Sequence, residues 1–260
     1  MNNIAVEKVA KELRLTGPFP QHKYVKHMQS AFGRNGERFM TAVDRFIASG
    51  CDPSDADELY SILASYPLMA DYVARHQYSE IYKAVGATLT AWGQLQGRSV
   101  VDVGCGFGHL TNMIARLHNT SRVIGMDNAK IVAAARRLND SLQVPNLEFR
   151  TANQLQGESA QVALMICVTH EAFPSVMESG LQPVPSELDF ARRISELMSQ
   201  DGMLVTINRF PSPNWQLPAL DELFASFHIH PCDTDLPKSI ELLECGHKSA
   251  LPVRAYRYKS

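Results

Sequence analysis

The stretch VVDVGCGFGHL, residues 100–110, carries an acidic residue and three glycines on alternate positions: Asp102, Gly104, Gly106 and Gly108. Lacking Cβ atoms, the glycines allow a tight turn and let a ligand lie against the backbone, and a helix that opens directly afterwards presents unpaired N–H groups. Together they predict a cofactor cradle. The sixth position counted from Gly104 is His109 and from Gly106 is Thr111, so neither frame completes the GxGxxG of a dinucleotide site, and the GK-Ser/Thr of a phosphate loop is absent. Asp102 would repel a pyrophosphate but can accept a hydrogen bond from an ammonium group. The ligand is therefore expected to have a cationic end.

To present that loop, the chain needs a strand before it and a helix after it. Residues 99–103 read as the strand, and Leu110, Met113, Ile114 and Leu117 mark one face of the helix. Further short apolar runs at 122–126, 147–151, 162–168, 203–208, 227–230 and 253–258 alternate with helical patterns. This alternation predicts a parallel sheet covered on both faces, with ligands at the carboxyl ends of its strands. Ser186 with Asp189 is expected to cap the helix before the fifth strand. Ahead of residue 98 the periodicity is helical, so the expected organisation is an N-terminal helical lid or substrate region, 1–97, over a sheet domain, 98–260. Within the first part, TGPFPQHKYVKHMQSAF gathers prolines, aromatics and histidines, a composition that suits a covering segment.

VVDVGCGFGHL resembles motif I, (D/E)xGxGxG, of the class I S-adenosylmethionine-dependent methyltransferases. Asp127, ending strand two in RVIGMDNAKIVAAARR, falls where that family places its next acid. The resemblance covers residues 98–260 and implies a Rossmann-like α/β sheet of seven strands, the last one antiparallel, with S-adenosyl-L-methionine as cofactor. It further implies that Asp127 accepts hydrogen bonds from both ribose hydroxyls, a task suited to two acceptor oxygens, that Asn128 flanks the adenine, and that Asp102 sits near the methionine moiety. In FRTANQL the family often has an Asp at the adenine amino group; here Asn153, beside Gln154, occupies the position. Cys105, Cys167 and Val168 lie at strand ends near the same cofactor, and Tyr78 is a further candidate for its methionine end.

Methyl transfer from a sulfonium is an in-line displacement, so the protein must align the reactants, exclude water and remove a proton where the acceptor carries one. The connection VTHEAFPSVMESGLQPVPS after strand four is longer than such loops usually are, and His170 and Glu171 are its first ionisable groups. His170 leads as general base, because imidazole takes a proton near neutral pH; Glu171 would orient it or hold a cationic substrate. The alternative for both is a solvated position that shapes the pocket. His22 and His27, with Phe19 and Tyr24 beside them in the covering segment, compete for the base role, against ordinary packing between helices. The loop lacks the (N/D)PP(Y/F) motif of amino-methylating DNA enzymes, and no acidic set of the catechol-type magnesium enzymes is present. His228, His230, Cys232, Cys245 and His247 have metal-binding side chains, but Pro231 interrupts the strand and the spacing is looser than structural zinc uses, so no metal is predicted.

Composition narrows the partners. The 260 residues are 45% hydrophobic with 25 basic and 27 acidic side chains, a net charge of −2 and no basic excess of the kind that binds nucleic acid. Arg254, Arg257 and Lys259 form the one terminal basic cluster. No apolar run approaches the roughly 18 residues of a membrane span, and the start MNNIAVEKVAKELR is not a secretory signal, so a cytoplasmic protein is expected. Five cysteines without a CxxC pair are read as free thiols, mostly buried. The expected activity is methyl transfer to O, N or C of a small molecule, in a chain that could form a homo-oligomer. The alternatives are methylation of RNA or a protein side chain, and a non-catalytic interaction protein that retains the cofactor fold.

Overall fold

Runs of buried β-branched and apolar residues make the central strands. In a computed structural model describing residues 2–17, 21–49, 53–179, 182–208, 217–244 and 247–259, β1 (Ser99–Val103), β2 (Arg122–Met126), β3 (Leu147–Arg150), β4 (Ala160–Ile166) and β5 (Met198–Ile207) run parallel. β6 (Ile229–Pro231), β7 (Ser239–Glu244) and the long β8 (His247–Tyr258) complete the sheet, and β8 runs antiparallel to β5, β6 and β7. The order is β3-β2-β1-β4-β5-β8-β6, with β7 paired to β8. Strands therefore advance to opposite sides from β1, and the crevice at the ends of β1 and β4 is where an open sheet of this kind takes its ligand.

Side-chain alternation along β1 divides the core. Val100 joins a cluster formed with α6 (Ser79–Trp92) and α7 (His109–Leu117), whereas Val101 and Val103 join one formed with α10 (Pro174–Ser179), α11 (Pro185–Leu197) and α12 (Leu217–Ala225). The first face also takes α1 (Asn2–Glu12) through Val9 and Ala10. A third cluster belongs to α2 (Gln21–Phe32), α3 (Arg34–Ala48), α4 (Pro53–Ser65) and α5 (Pro67–Gln77). Their Met28, Phe39, Leu63, Met69 and Val73 pack against Phe107 of the glycine loop and Ile131 of α8 (Ala129–Asn139). The helical half thus rests directly on the loop that the sequence singled out.

The expected α/β sheet is present, with three differences. An eighth strand, β7, pairs with β8, with Ile240 and Leu242 buried and Glu241 between them exposed. The connection after β4 is not an unstructured loop, because α9 (Thr169–Ala172) and α10 form within it, separated by Phe173. Finally, α11 is capped by neither Ser186 nor Asp189: Pro185 opens it, and Glu187 accepts hydrogen bonds from the N–H groups of Val184 (2.9 Å) and Ser175 (2.7 Å). The buried Glu187 carboxylate therefore ties the start of α11 to α10 as well as capping the helix.

Candidate active site

The glycine loop is built by its backbone. The N–H groups of Gly104 and Cys105 donate to the Met126 carbonyl at 2.8 and 3.0 Å, which pins the turn to the end of β2. Gly104 has φ 73°, and a Cβ there would fall 2.5 Å from Val168 Cγ2, so only glycine fits beneath α9. Gly106, at φ 53°, has nothing within 4 Å of the corresponding position; its open side faces a cavity. Gly108 is the N-cap of α7.

Two acids bracket this turn. Asp102 is 2% exposed and accepts a 2.6 Å hydrogen bond from Thr111 Oγ1, one turn into α7. Burial raises its carboxyl from 3.8 to about 7, against the pull of the Thr111 bond. Asp127 accepts from the N–H groups of Gly106 (2.9 Å) and Asn128 (2.7 Å), and burial nevertheless raises it to about 6. Asn128 also caps α8, its Oδ1 accepting from Lys130 and Ile131 N–H, both at 3.1 Å.

The cavity, about 210 Å³, is roofed by the N-terminal helices. Asp57 and Tyr60 of α4, Tyr78 at the start of α6 and Tyr82 within it face Asp102, Gly106 and Asp127, while Cys167 and Glu171 close the β4 side. Tyr60 donates to Glu171 Oε1 at 3.4 Å. Burial, then the charge of Asp127, raises the Glu171 carboxyl from 4.5 to about 7. Burial likewise pushes the Cys105 thiol well up, so it stays neutral and is no nucleophile. Cys167 adopts a left-handed φ of 58°, which turns the chain from β4 into α9. Beyond Asp127 a second groove continues, lined by Ala129, Asn153, Val168 and Phe190.

Most of the sequence-predicted residues meet here. Asp102, Gly104, Cys105, Gly106, Asp127, Asn128, Cys167, Val168, Glu171 and Tyr78 line the cavity, and Asn153 lines the groove. Gln154 lines neither; its Oε1 accepts the Thr151 N–H at 2.9 Å and closes a turn. His170 lies in α9, with its side chain outside the described residues, and Phe19 is outside them altogether. His22 and His27 are exposed on α2 and do not reach the cavity; His27 stacks on Tyr72, ring centroids 4.3 Å apart. Tyr24 is buried in the helical cluster rather than over the site. Asp57, Tyr60 and Tyr82 were not anticipated. Their signal was spacing, since Asp57 and Tyr60 are three residues apart and Tyr78 and Tyr82 four, which puts each pair on one helix face. His228, His230 and Cys232 are described, Cys245 and the His247 side chain are not, and among the described residues no three metal-capable side chains converge. The cysteine expectation is partly corrected: of the three described, Cys105 is buried while Cys167 and Cys232 are half-buried. Among the described residues no helix is long and apolar enough to cross a membrane.

A parallel sheet that reverses order at β1, a glycine turn behind β1 and an acid at the end of β2 define the class I S-adenosylmethionine-dependent methyltransferase fold. Residues 100–184 match the family described as methyltransferase domain, and this match supports an S-adenosylmethionine-dependent methyltransferase. Its fold is similar to that of a Haloferax volcanii protein described as a methyltransferase and solved with the Trm112 methyltransferase activator (12% identity, 77% of this chain and 98% of that one, TM-score 0.53). Magnesium protoporphyrin IX methyltransferase from Synechocystis PCC 6803, solved with bound S-adenosylmethionine, is similar over 73% of this chain and 83% of its own at 17% identity and a TM-score of 0.49. No curated protein matches by sequence.

Proposed function

We propose that the cavity is a methyl-transfer site for a small-molecule acceptor, covered by the helices of residues 1–97, and that Glu171 removes the acceptor's proton. The observation that carries this reading is a carboxyl of raised proton affinity on the wall of a roofed cavity beside the glycine turn.

The residues present fit S-adenosylmethionine. The open face of Gly106 leaves room against the backbone, Asp127 has acceptor oxygens suited to a vicinal diol, Asp102 suits an ammonium group, and the groove with Asn153 and Phe190 suits a flat base. When bound, the cofactor supplies a methyl group on a cationic sulfur. The chain's own tasks are then to hold the donor with Asp102 and Asp127, keep water out with the α4–α6 roof, and accept a proton at Glu171. A carboxyl near 7 can hold a proton and release it again at neutral pH, which general-base work requires. The Tyr60 hydroxyl fixes its orientation.

Glu171→Gln tests the assignment. Turnover, scored as S-adenosylhomocysteine formed against a panel of small-molecule acceptors, is expected to fall about 10²- to 10³-fold, with wild-type affinity for S-adenosylhomocysteine by calorimetry. Undiminished turnover moves the base elsewhere, to His170 first. Turnover on RNA alone, with steep salt dependence, overturns the small-molecule reading.

A further inference from the structure

We propose that the methyl acceptor is a flat aromatic compound bearing a hydroxyl, with its ring against Tyr78 and Tyr82 and its oxygen at Glu171, and that the product is an aryl methyl ether. This rests on the reading of the cavity as the methyl-transfer site and names the substrate class of that site.

The cavity changes character from floor to roof. At the strand ends, Asp102, Asp127 and Asn128 stand where the polar parts of the donor fit. The roof brings apolar surface instead: Leu63 of α4, Val73 of α5 and Ile81 of α6, with the rings of Tyr60, Tyr78 and Tyr82. Tyr78 and Tyr82 are four residues apart, so α6 turns both rings to one side. Their centroids are 6.0 Å apart with planes 29° from parallel, and the His109 ring continues the row 6.4 Å beyond Tyr82 at 9°. At such spacings stacked rings are offset and overlap only in part, which leaves room for a further ring against them. His109 is anchored through Nε2 to Asp71 at 3.0 Å, so the row is in place before a substrate arrives. Tyr60, close enough to feel both Tyr78 and Tyr82, donates its hydroxyl to Glu171 at 3.4 Å and sets the base beside that row.

Acceptor classes meet this surface differently. A sugar would bury hydroxyls against the apolar wall without partners, and an ammonium would give up its hydration there. A saturated ring fills the same space but forgoes the stacking that an aromatic ring gains from the tyrosines. The proton separates the hydroxyls further. A phenol loses its proton near 10, as tyrosine does, whereas an aliphatic alcohol holds it about as tightly as water, near 16. A carboxylate whose own acid titrates at about 7 is within reach of the first and far from the second.

The reaction balances on these groups. The acceptor's O–H proton passes to the Glu171 carboxylate, and the oxygen's electron pair forms the O–C bond as the C–S bond breaks, its bonding pair staying on sulfur. The products are an aryl methyl ether and a neutral thioether, and Glu171 returns its proton to solvent.

The test uses the full chain and begins with calorimetric titration of S-adenosylhomocysteine. The saturated protein is then titrated with 4-methylphenol, 4-methylcyclohexanol and benzylamine. The phenol is expected to bind about two- to tenfold more tightly than the cyclohexanol, the range of one aromatic pair, and more tightly than the amine. Tyr78→Leu and Tyr82→Leu should each erode the preference over the cyclohexanol. Tyr78 is 37% exposed, so its variant is expected to fold even where loss of the ring packed beside His109 is not tolerated. With S-adenosylmethionine in place of the product, 4-methylphenol is expected to yield 4-methylanisole. Equal or tighter binding of the cyclohexanol or the amine, no binding of any of the three, a preference unchanged in Tyr78→Leu, or no ether from the phenol overturns the aromatic assignment. Failure of S-adenosylhomocysteine to bind in the first titration instead overturns the reading of the site, so the two failures are told apart.

Discussion

Three carboxyls that burial makes reluctant to ionise, Asp102, Asp127 and Glu171, share one cavity. A cationic donor reverses that reluctance, because it favours the charged form and so binds best where the acids have already lost their protons. Asp127 titrates near 6 and Asp102 near 7; affinity for S-adenosylhomocysteine, which keeps the ammonium, is therefore expected to rise from pH 5 to pH 8. Protons should be released on binding near pH 6–7, measurable by calorimetry in buffers of different ionisation enthalpy. A flat profile would show that neither acid meets the ligand's charge. Asp102, the glycines and Asp127 were legible in the sequence because their spacing lies within one β-α-β unit. Asp57 and Tyr60 were not, because what assigns them is the seating of α4 on a loop more than forty positions downstream, and a polar stripe on a helix reads equally well as a solvated face. His22 and His27, clustered in sequence, are exposed on α2, where His27 stacks on Tyr72.

Between elements, a polar link joins roof to floor. His109, first residue of α7, places Nε2 3.0 Å from Asp71 Oδ1 on α5, and Asp71 also pairs with Arg75 at 2.6 Å. The Tyr82 ring lies parallel to the His109 ring, 6.4 Å away. One carboxylate thereby fixes α5 against the helix that follows the glycine turn. Asp71→Asn is expected to raise the KM for S-adenosylmethionine about three- to tenfold, the loss of one charge-assisted hydrogen bond, with a smaller change in kcat. A change in kcat alone would place the link in the chemistry instead. The elements that periodicity revealed include those with long apolar faces, among them α6, α7, α8, α11 and α12, together with the five parallel strands, β6 and β8. The α9–α10 region was read as loop because Pro174 and Pro185 punctuate it and four residues are too few to show a helical period. β7 was missed because SIELLE, with adjacent leucines, does not alternate cleanly.

For the whole molecule, the site is a charge held against the fold's preference. Glu171 has its carboxyl raised from 4.5 to about 7 by burial, then by the charge of Asp127. Among the described residues, Tyr60 and Asp57 from α4 and Asp127 after β2 act on it. A raised acid favours folding while protonated, and that contribution is lost as pH rises from about 4.5 through about 7. Glu171→Gln is thus expected to melt at a higher temperature than wild type at pH 8, with the gap closing at pH 5. An equal gap at both values would mean that the gain is not electrostatic. The sheet order also carries a consequence for biogenesis. The helical layer α2 to α5 leaves the ribosome before any strand exists, yet its cluster is completed by Phe107, Ile131 and Ala134. Contacts so far apart in sequence form late. The layer must therefore wait, with Met28, Leu63, Met69 and Val73 uncovered, until β1, β2 and α8 have been made. A nascent chain stalled before residue 139 is the form of this protein most dependent on chaperones.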